Sequence, residues 1–275
     1  MSDNLSEQLL PVRELALAAG ALLLDSMGHV GTVAAKQATE LVTELDGRVE
    51  EMLVAGIARH FPDDTVQAEE GGHREGGSGR TWYIDPLDGT TNYAHGHPVF
   101  AVSIACADAD GLALGLVYAP YLDELYLAHR AGGAVGERPR HGTRASLARR
   151  APVALDAALL ATGFPYVRDD EVDLATGRVA AFLKRRCHGV RRAGSAAVDL
   201  VHVAAGKLDG YWETRLRPWD TAAGTLIARE AGAVVTGHDG VAGPLHFSDI
   251  LAAAPGLHGE MLAILAATAR EVGRG

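Results

Sequence analysis

The sequence predicts an α/β fold in which helices cover β-sheets, and three observations support this prediction. The second half of the chain alternates between segments with helical and with extended apolar spacing. The first half places a series of short extended segments after two helical ones. The composition of the 275 residues, 48% hydrophobic and 22% charged, is that of a globular protein and excludes a disordered chain.

The predicted N-terminal part, residues 1–150, begins with two helices. Residues 5–27 carry leucines at helical spacing and end before a glycine, and residues 41–60 continue such a pattern up to a break at Pro62. We expect strands to follow at residues 65–68, 81–84, 100–105, 112–118 and 124–129. Residues 131–150, which are rich in Gly and Arg, are predicted to be the last turn of this sheet and the link onward.

The predicted C-terminal part, residues 151–275, alternates strands with helices. We expect the strands at residues 157–161, 208–213 and 233–235. We expect the helices at residues 171–185, 195–205, 219–231 and 259–270. This alternation is typical of layers in which helices pack on both faces of a sheet.

The charge balance and the cysteine content exclude several classes of protein. Lys and Arg number 25 against 35 Asp and Glu, a net charge of −10, which argues against nucleic acid as a partner. The 2 cysteines are too few for a disulfide framework or a cysteine-liganded zinc site. The apolar run at residues 15–24 is shorter than the roughly 20 residues that span a bilayer. We therefore expect a cytoplasmic protein with no membrane partner.

The most informative segment is residues 82–92, where an apolar strand runs into a tight turn. Asp85 and Asp88 lie three residues apart in this turn, Pro86 fixes one φ angle, and Gly89 permits a conformation that a side chain would oppose. Carboxylates at this density suit Mg²⁺ rather than zinc. Asp-Pro and Asp-Gly are also common turn dipeptides. The segment alone therefore indicates a metal site and an ordinary turn equally.

Three further acidic positions bear on this choice. Glu69 and Glu70 end another short strand, so a carboxylate there would lie beside Asp85 if the two strands are neighbours. Asp46 lies in a predicted helix, and Asp220 opens another helix just after a proline. Each has an ordinary interpretation when taken alone: solvated glutamates, a surface aspartate, and a helix cap.

Taken together, these segments resemble the inositol monophosphatase family, which belongs to the Mg²⁺-dependent, lithium-sensitive sugar phosphatases. The most specific match is the sequence DPLDGTTN followed in the second half by WDTAAG. The matching segments keep their order over residues 10–270, and they are Lys36 with residues 41–43 and Asp46, residues 68–70, 82–92, 194–197, 208–213, 219–220 and 230–232. The match is poor at residues 246–250.

The resemblance implies a layered αβαβα sandwich with a metal site in the crevice between the two parts. Glu69, Asp85 and the carbonyl of Leu87 would hold a first Mg²⁺ ion. Asp85, Asp88 and Asp220 would hold a second, with Asp85 bridging the two, and a third, weaker ion would depend on Glu69 and waters. Metal charge is needed there because a phosphate dianion cannot otherwise approach four carboxylates.

The resemblance also implies roles for the residues around the metal site. Asp46 and Thr90 would activate or orient the attacking water, and the amides of Gly89 and Thr90 would hold the phosphate. The substrate pocket would be formed by Gly194, Ser195, Ala196, Glu213 and Asp220, with Glu213 accepting sugar hydroxyls. Outside this set, Lys36 matches a basic family residue or is a solvated lysine, and His95 and His97 line the pocket mouth or are incidental loop residues.

The implied activity is Mg²⁺-dependent hydrolysis of a small polyol phosphate, with inositol 1-phosphate as the first choice. The same chemistry would serve histidinol phosphate, fructose 1,6-bisphosphate, a 3′-phosphoadenosine nucleotide or a cyclitol phosphate. A hypothesis from another class is a non-catalytic regulator that binds metal and phosphate. Family members are commonly homodimers, so a homodimer is implied as well.

Overall fold

The computed structural model describes residues 5–27, 33–37, 40–148, 153–165, 171–243 and 248–271. For residues 33–37 and 40–43 and for residue 271 it describes the backbone alone. The predicted boundary between two parts near residue 150 falls outside the described residues, and this division stays a prediction. Within the described ranges, no helix is both long enough and apolar enough to cross a membrane.

The first half of the chain contains three helices and ten strands in the described residues. The helices are α1 (Leu5–Ser26), α2 (Glu44–His60) and α3 (Thr90–Ala94). The first five strands are β1 (Val33–Gln37), β2 (Glu40–Thr43), β3 (Thr65–Ala68), β4 (His73–Arg74) and β5 (Thr81–Asp88). The next five are β6 (Ala101–Asp108), β7 (Gly111–Ala119), β8 (Glu124–His129), β9 (Ala134–Arg138) and β10 (Thr143–Ser146).

The second half contains four helices and five strands in the part that the structure describes. The helices are α4 (Glu171–Lys184), α5 (Ala196–Ala204), α6 (Pro218–Glu230) and α7 (Pro255–Glu271). The strands are β11 (Leu159–Thr162), β12 (Gly189–Arg191), β13 (Gly210–Glu213), β14 (Val234–Gly237) and β15 (Ile250–Ala253). Two short 3₁₀ helices, Pro139–His141 and Leu155–Ala157, lie in connections.

The strands form two large sheets and one small one. The larger sheet has eight strands in the order β10-β9-β8-β7-β6-β5-β3-β4, and all its pairs are antiparallel except β3 with β5. The second sheet has five strands in the order β12-β11-β13-β15-β14 and is mixed. Strands β1 and β2 pair with each other as a separate antiparallel ribbon.

The elements stack in five layers, which confirms the predicted αβαβα sandwich. Helices α1 and α2 pack on one face of the eight-stranded sheet, and α5 and α6 pack on its other face. The five-stranded sheet covers the opposite side of α5 and α6, and α4 and α7 cover its outer face. Because layers cover both faces, β6 and β7 are buried along nearly their whole length instead of alternating.

Helices α5 and α6 form the central layer, and close packing fixes their position. Helix α5 (AAVDLVHVA) is buried almost all round, as expected of a helix between two sheets. A Cβ at Gly115 of β7 would lie 2.9 Å from the carbonyl oxygen of Ala223, and one at Gly224 of α6 would lie 2.6 Å from Leu200 Cβ. Gly115 therefore allows α6 to approach the eight-stranded sheet closely, and Gly224 allows it to approach α5.

Several predicted boundaries were wrong. Residues 41–43 form strand β2, and helix α2 begins at Glu44 rather than at residue 41. The prediction was wrong because leucines four residues apart, at 41 and 45, fit a helix without requiring one. Residues 131–150 contain strands β9 and β10 rather than only a turn and a link. Strand β10 is exposed at every position at the sheet edge, so it lacks the apolar alternation that reveals a strand. The closing helix begins at Pro255, four residues before its predicted start.

Candidate active site

Asp85 and Asp88 face the same side of the eight-stranded sheet because β5 contains a bulge. Asp85 pairs with Ser103 and Asp88 with Ala101. The chain therefore advances three residues along β5 where it advances only two along β6. In a regular strand, residues three apart would point to opposite faces. The extra residue of the bulge reverses that alternation. The carboxyl of Asp85 also accepts the amide N–H of Leu87 at 2.9 Å, which shapes the turn.

Glu69 lies beside Asp85, as the sequence predicted. Strands β3 and β5 are parallel neighbours in which Ala68 pairs with Ile84. The amide of Glu69 donates to the carbonyl of Ile84 at 3.2 Å, which extends the pairing one residue beyond β3. The carboxyl of Asp85 is buried, and burial followed by the charges of Glu69, Asp88, Asp220 and Asp46 raises its pKa well above the usual range.

Asp88 is held at the start of helix α5. One of its carboxylate oxygens, Oδ2, accepts hydrogen bonds from Ser195 Oγ at 2.6 Å and from the amide of Ala197 at 2.7 Å. Ser195 Oγ also accepts the amide N–H of Val198 at 3.3 Å, so this serine caps the helix and contacts the site at once. Burial raises the pKa of Asp88, and the hydrogen bonds from Ser195 and Ala197 oppose that shift.

Asp220 occupies the third position of helix α6. Its Oδ2 accepts the amide N–H of Arg217 at 2.6 Å, which belongs to a capping box at the helix start. Burial, and then repulsion from Asp88, Glu69 and Glu213, raises the pKa of this carboxyl well above the usual range, against the hydrogen bond from Arg217. The helix-cap and site interpretations of Asp220 therefore describe the same side chain.

Thr90 follows Gly89 at the start of the short helix α3. Gly89 has φ +97°, a left-handed conformation that favours glycine. The hydroxyl of Thr90 donates to the carbonyl of Leu87 at 3.0 Å, and it lies 3.5 Å from Oδ2 of Asp46. The predicted pair is thus in contact, but its hydrogen bond is at the outer limit of length, and the shorter partner is Leu87.

Glu213 ends strand β13 on the other side of the site. The hydroxyl of Tyr211 donates to Oε2 of Glu213, and a Cβ at Gly163 would lie 1.9 to 2.0 Å from the Glu213 carboxyl. Tyr211 and the backbone of Gly163 therefore confine this carboxyl from two sides. Burial is the main reason that the pKa of Glu213 rises to about 7, and the tyrosine hydroxyl opposes the rise.

Every predicted metal, catalytic and substrate residue except Asp46 lines one cavity of about 600 Å³. Asp46 is buried behind it and reaches Thr90. A cavity of this volume suits a small organic ligand. The predicted residues on its wall are Glu69, Asp85, Leu87, Asp88, Gly89, Thr90, Gly194, Ser195, Ala196, Glu213 and Asp220.

Three other residues singled out by the sequence have different outcomes. His95 and His97 are exposed after helix α3 and do not belong to the described lining of the cavity. Lys36 lies in strand β1, where the structure describes the backbone alone. Its predicted role stays a prediction.

Two charged residues near the cavity lie outside the predicted set. The sequence leaves open whether the Arg191-Arg192 pair is a charged surface or a substrate-side patch. In the structure Arg192 is an exposed cavity residue whose charge lowers the pKa of Asp88 and Glu213. Asp199 is buried on α5, where burial and then the charges of Glu213 and Asp88 raise its pKa well above the usual range. A lone acidic residue in the apolar sequence AAVDLVHVA was the available signal.

The donors fit a hard divalent cation in type. Glu69, Asp85, Asp88 and Asp220 supply carboxylate oxygens and Leu87 a carbonyl, which are the ligands that Mg²⁺ prefers. Burial and then mutual repulsion raise the pKa of Asp85 and Asp220, and a cation would relieve that repulsion. In the described residues, no three acidic, histidine or cysteine side chains are already arranged as a metal cluster. Asp85, Asp88 and Asp220 each have one oxygen on a protein donor.

Comparison with known proteins gives consistent matches over the whole chain. The sequence model of the inositol monophosphatase family matches residues 5–274. An inositol-1-monophosphatase of Synechocystis sp. is 42% identical over 261 residues, covering 93% of this chain and 87% of that protein. A Nus factor SuhB of Pseudomonas aeruginosa is 41% identical over 234 residues, covering 82% of this chain and 83% of that protein.

The fold has close counterparts among solved structures. An IMPase from Thermotoga maritima has a TM-score of 0.87 at 31% sequence identity, with 97% of this chain and 100% of that chain covered. The similarity extends over both sheets and the helices that flank them. It therefore confirms the predicted fold and the resemblance on which that prediction was based.

Proposed function

Because this chain belongs to the inositol monophosphatase family, we propose that it is a Mg²⁺-dependent phosphatase. It would release phosphate from a small polyol phosphate, and inositol 1-phosphate is the first choice of substrate. One observation carries the proposal. Carboxylates from β5, from the end of β3 and from the start of α6 line the same cavity. Four acidic groups in one cleft repel a phosphate ester, so the arrangement is useful for this substrate only with bound cations.

The chain's own oxygen donors would hold the metal. Glu69, Asp85 and the Leu87 carbonyl would bind a first Mg²⁺ ion, and Asp85, Asp88 and Asp220 a second. A third and weaker ion would depend on Glu69. When bound, Mg²⁺ supplies positive charge that clamps phosphate oxygens, lowers the pKa of a water and neutralises the leaving alkoxide. The protein's contribution is to place these donors on the wall of one cavity before the ions arrive.

The amides of Gly89 and Thr90 would bind the phosphate. The left-handed conformation of Gly89 turns the chain at the end of β5, directly at the cavity wall. Backbone N–H groups in such a turn form a concave site for phosphate oxygens. A side chain at this position would be strained, and its Cβ would lie 3.0 Å from the carbonyl oxygen of Val99. The turn therefore depends on glycine.

Thr90 and Asp46 would orient the attacking water and receive its proton. In the structure the Thr90 hydroxyl donates to the Leu87 carbonyl, with the Asp46 carboxylate 3.5 Å away. Rotation of the Thr90 side chain would move that hydrogen bond to Asp46. The hydroxyl oxygen would then accept a hydrogen bond from the water, and the water's proton would pass through Thr90 to the Asp46 carboxylate. Attack in line with the leaving oxygen would follow.

Glu213 would accept hydroxyl groups of the polyol, and this role predicts a pH dependence. A carboxylate accepts hydroxyl hydrogen bonds more strongly than a carboxylic acid does. Because the pKa of Glu213 is raised to about 7, we expect KM for a polyol phosphate to increase as the pH falls through this region. The groups that act on its charge are Asp88, Arg192, Asp199, Tyr211 and Asp220. Steady-state kinetics from pH 6 to 9 measure the effect.

The variant Tyr211→Phe tests the same assignment. It removes the hydroxyl that lowers the pKa of Glu213 and keeps the buried ring. We expect the pH at which KM changes to shift upward, with kcat little affected. A profile identical to that of the wild type would contradict the assignment of Glu213 as the hydroxyl acceptor.

The choice of substrate within this chemistry rests on the charges in the cavity. Arg192 places a guanidinium on the cavity wall, which disfavours the cationic amine of histidinol phosphate relative to the uncharged hydroxyl groups of a polyol. We expect Mg²⁺-dependent phosphate release from inositol 1-phosphate to exceed release from histidinol phosphate, fructose 1,6-bisphosphate, a cyclitol phosphate and a 3′-phosphoadenosine nucleotide. A colorimetric phosphate assay on this panel decides. Release from histidinol phosphate alone would overturn the polyol assignment.

The names of the relatives support a second candidate function. Relatives at 37–42% identity are named either inositol-1-monophosphatase or Nus factor SuhB. This second candidate is a non-catalytic regulator that binds metal and phosphate. Such a role would require neither a full donor set nor turnover, whereas this chain has every donor that the resemblance implies. Absence of Mg²⁺-dependent turnover on the whole panel would favour the non-catalytic hypothesis.

We also propose a cytoplasmic homodimer, by analogy with the family. A net charge of −10 is consistent with the absence of a nucleic-acid partner. Light scattering at micromolar concentration should give twice the 28.8 kDa of one chain. A mass equal to one chain would contradict the dimer.

A further inference from the structure

The turn after strand β3 carries Glu69 and is tied to the sheet by its backbone. The amide of Ala68 donates to the carbonyl of Gly72 at 2.9 Å, which closes the turn, and the amide of Glu69 donates to Ile84 at 3.2 Å. Gly71, inside the turn, has φ +109°. The amides of Glu70 and Gly72 point away from the sheet, toward helix α2, where the carboxyl of Glu50 accepts both.

Glu50 binds this turn with both oxygens of its side chain. Oε2 accepts the amide N–H of Glu70 at 2.7 Å, and Oε1 accepts that of Gly72 at 2.8 Å. The side chain is buried, with the residue 6% exposed. Two charge-assisted hydrogen bonds at these lengths are stronger than neutral ones, and they fix both the position and the tilt of the turn. A Cβ at Gly72 would lie 2.8 Å from Oε1, so the contact also depends on glycine.

Glu50 lies one helical turn after Asp46, on the same face of α2. Residues four apart on a helix project in the same direction. The same helix face therefore holds Asp46 against Thr90 and holds Glu50 against the turn that carries Glu69. Neither hydrogen bond of Glu50 involves the cavity itself. These two hydrogen bonds thus act on the site through the backbone next to Glu69.

We infer that Glu50 is a positioning residue for the metal site: it fixes the turn after β3 so that Glu69 faces Asp85 before a cation binds. The inference rests on the proposed function only in taking Glu69 as a metal ligand. Residues that do not touch the metal but hold its ligands in place raise metal affinity, and their removal weakens metal binding. Without the two hydrogen bonds, Glu69 would sample other orientations, and part of the binding free energy would be spent on ordering it.

A purely structural role for Glu50 gives a different expectation. If the carboxylate only joins α2 to the β3–β4 turn, its removal lowers thermal stability and leaves metal affinity unchanged. If it positions Glu69, metal affinity falls even where the protein is fully folded. The two roles therefore separate when metal affinity and stability are measured on the same samples.

The experiment measures Mn²⁺ binding to the full chain by calorimetry, without substrate, for the wild type, Glu50→Gln and Glu51→Gln. Gln keeps the length of the side chain but offers one acceptor oxygen instead of two. Glu51 is the matched control, because it is the next residue on the same helix and is exposed. We expect Kd for Mn²⁺ to rise about tenfold in Glu50→Gln and to stay unchanged in Glu51→Gln. Half-maximal activity should require correspondingly more Mg²⁺, with kcat at saturating Mg²⁺ near that of the wild type.

A second variant keeps the inference testable if Glu50→Gln folds poorly. In Gly72→Ala the added Cβ displaces Oε1 of Glu50 while the carboxylate itself remains, and we expect the same weakening of Mn²⁺ binding. Wild-type affinity in folded Glu50→Gln and Gly72→Ala would overturn the inference and leave the proposed function intact. No Mn²⁺ binding by the wild type would overturn the proposed function and the inference with it.

Discussion

Replacement of Asp88 by asparagine should abolish phosphatase activity while the protein stays folded. The carboxylate of Asp88 is held by two donors from the start of α5, Ser195 Oγ and the amide of Ala197. Asparagine keeps an oxygen that can accept both hydrogen bonds, so the link between the end of β5 and the start of α5 should survive. It removes the negative charge that the proposed second Mg²⁺ ion requires. We expect kcat to fall by at least about 10²–10³-fold, the loss that follows removal of one electrostatic group from an active site.

The measurement is phosphate release from inositol 1-phosphate over a range of Mg²⁺ concentrations. Circular dichroism and the thermal midpoint should match those of the wild type. Asp110→Asn is the matched control, because Asp110 is exposed in the turn between β6 and β7, far along the chain from every cavity residue. Near-normal turnover in Asp88→Asn would show that the ligand assignment is wrong.

Replacement of Asp85 by asparagine should stabilise the metal-free protein and destabilise it relative to the wild type when Mg²⁺ is present. Burial and the charges of Glu69, Asp88, Asp220 and Asp46 raise the pKa of Asp85. When the pKa of a carboxyl is raised in the folded state, the folded protein loses stability as the pH rises above the pKa of about 4 that the group has in the unfolded chain. Asparagine has no such loss, and its side-chain oxygen can still accept the Leu87 amide.

The advantage of Asp85→Asn without metal should therefore grow from pH 5 to pH 8. Relief of about 1 kcal/mol raises the thermal midpoint by about 2–4 °C for a chain of this size. Saturating Mg²⁺ should raise the midpoint of the wild type and have little effect on the variant, because the residue proposed to bind both ions is missing. Thermal scans with EDTA and with Mg²⁺ at both pH values measure this. If the two proteins respond equally to Mg²⁺, Asp85 does not bind the ion.

Comparison of Asp85→Asn with the wild type is needed because other groups also change stability with pH. Burial lowers the pKa of His238 to about 4 and, to a smaller extent, that of His258, and these groups favour the fold as the pH rises toward 6.5. Hydrogen bonds from His202 and Lys207 lower the pKa of Glu124 to about 2 against the effect of its burial, so its contribution is lost only in acid. Both effects are common to variant and wild type and cancel in the difference.

Local sequence patterns predicted most of the helices and strands, whereas the roles of the cavity residues followed from the family resemblance. The apolar strand before Asp85 and the turn residues Pro86 and Gly89 placed the carboxylates at a strand end, where the structure has them. The neighbouring strand of Glu69 followed from its short apolar run. The family resemblance then joined segments that no local pattern connects.

The remainder depends on contacts between distant residues. The bulge that turns Asp88 to the side of Asp85 is visible only in the pairing of β5 with β6. Ser195 donates to Asp88 across 107 residues, and Glu50 accepts from Gly72 across 22. The spacing of residues along a chain carries no information on which buried donor meets which acceptor. For the same reason Glu50 and Asp199 looked like ordinary acidic positions of helices.

Crystals soaked in Mn²⁺ test most directly whether these carboxylates share cations. Anomalous scattering locates manganese without assumptions about the chemistry of the site. The account predicts strong peaks inside the cavity, with Asp85 between two of them, Glu69 at one and both Asp88 and Asp220 at the other. A cavity without anomalous density at saturating Mn²⁺, or manganese bound only elsewhere on the protein, would contradict it.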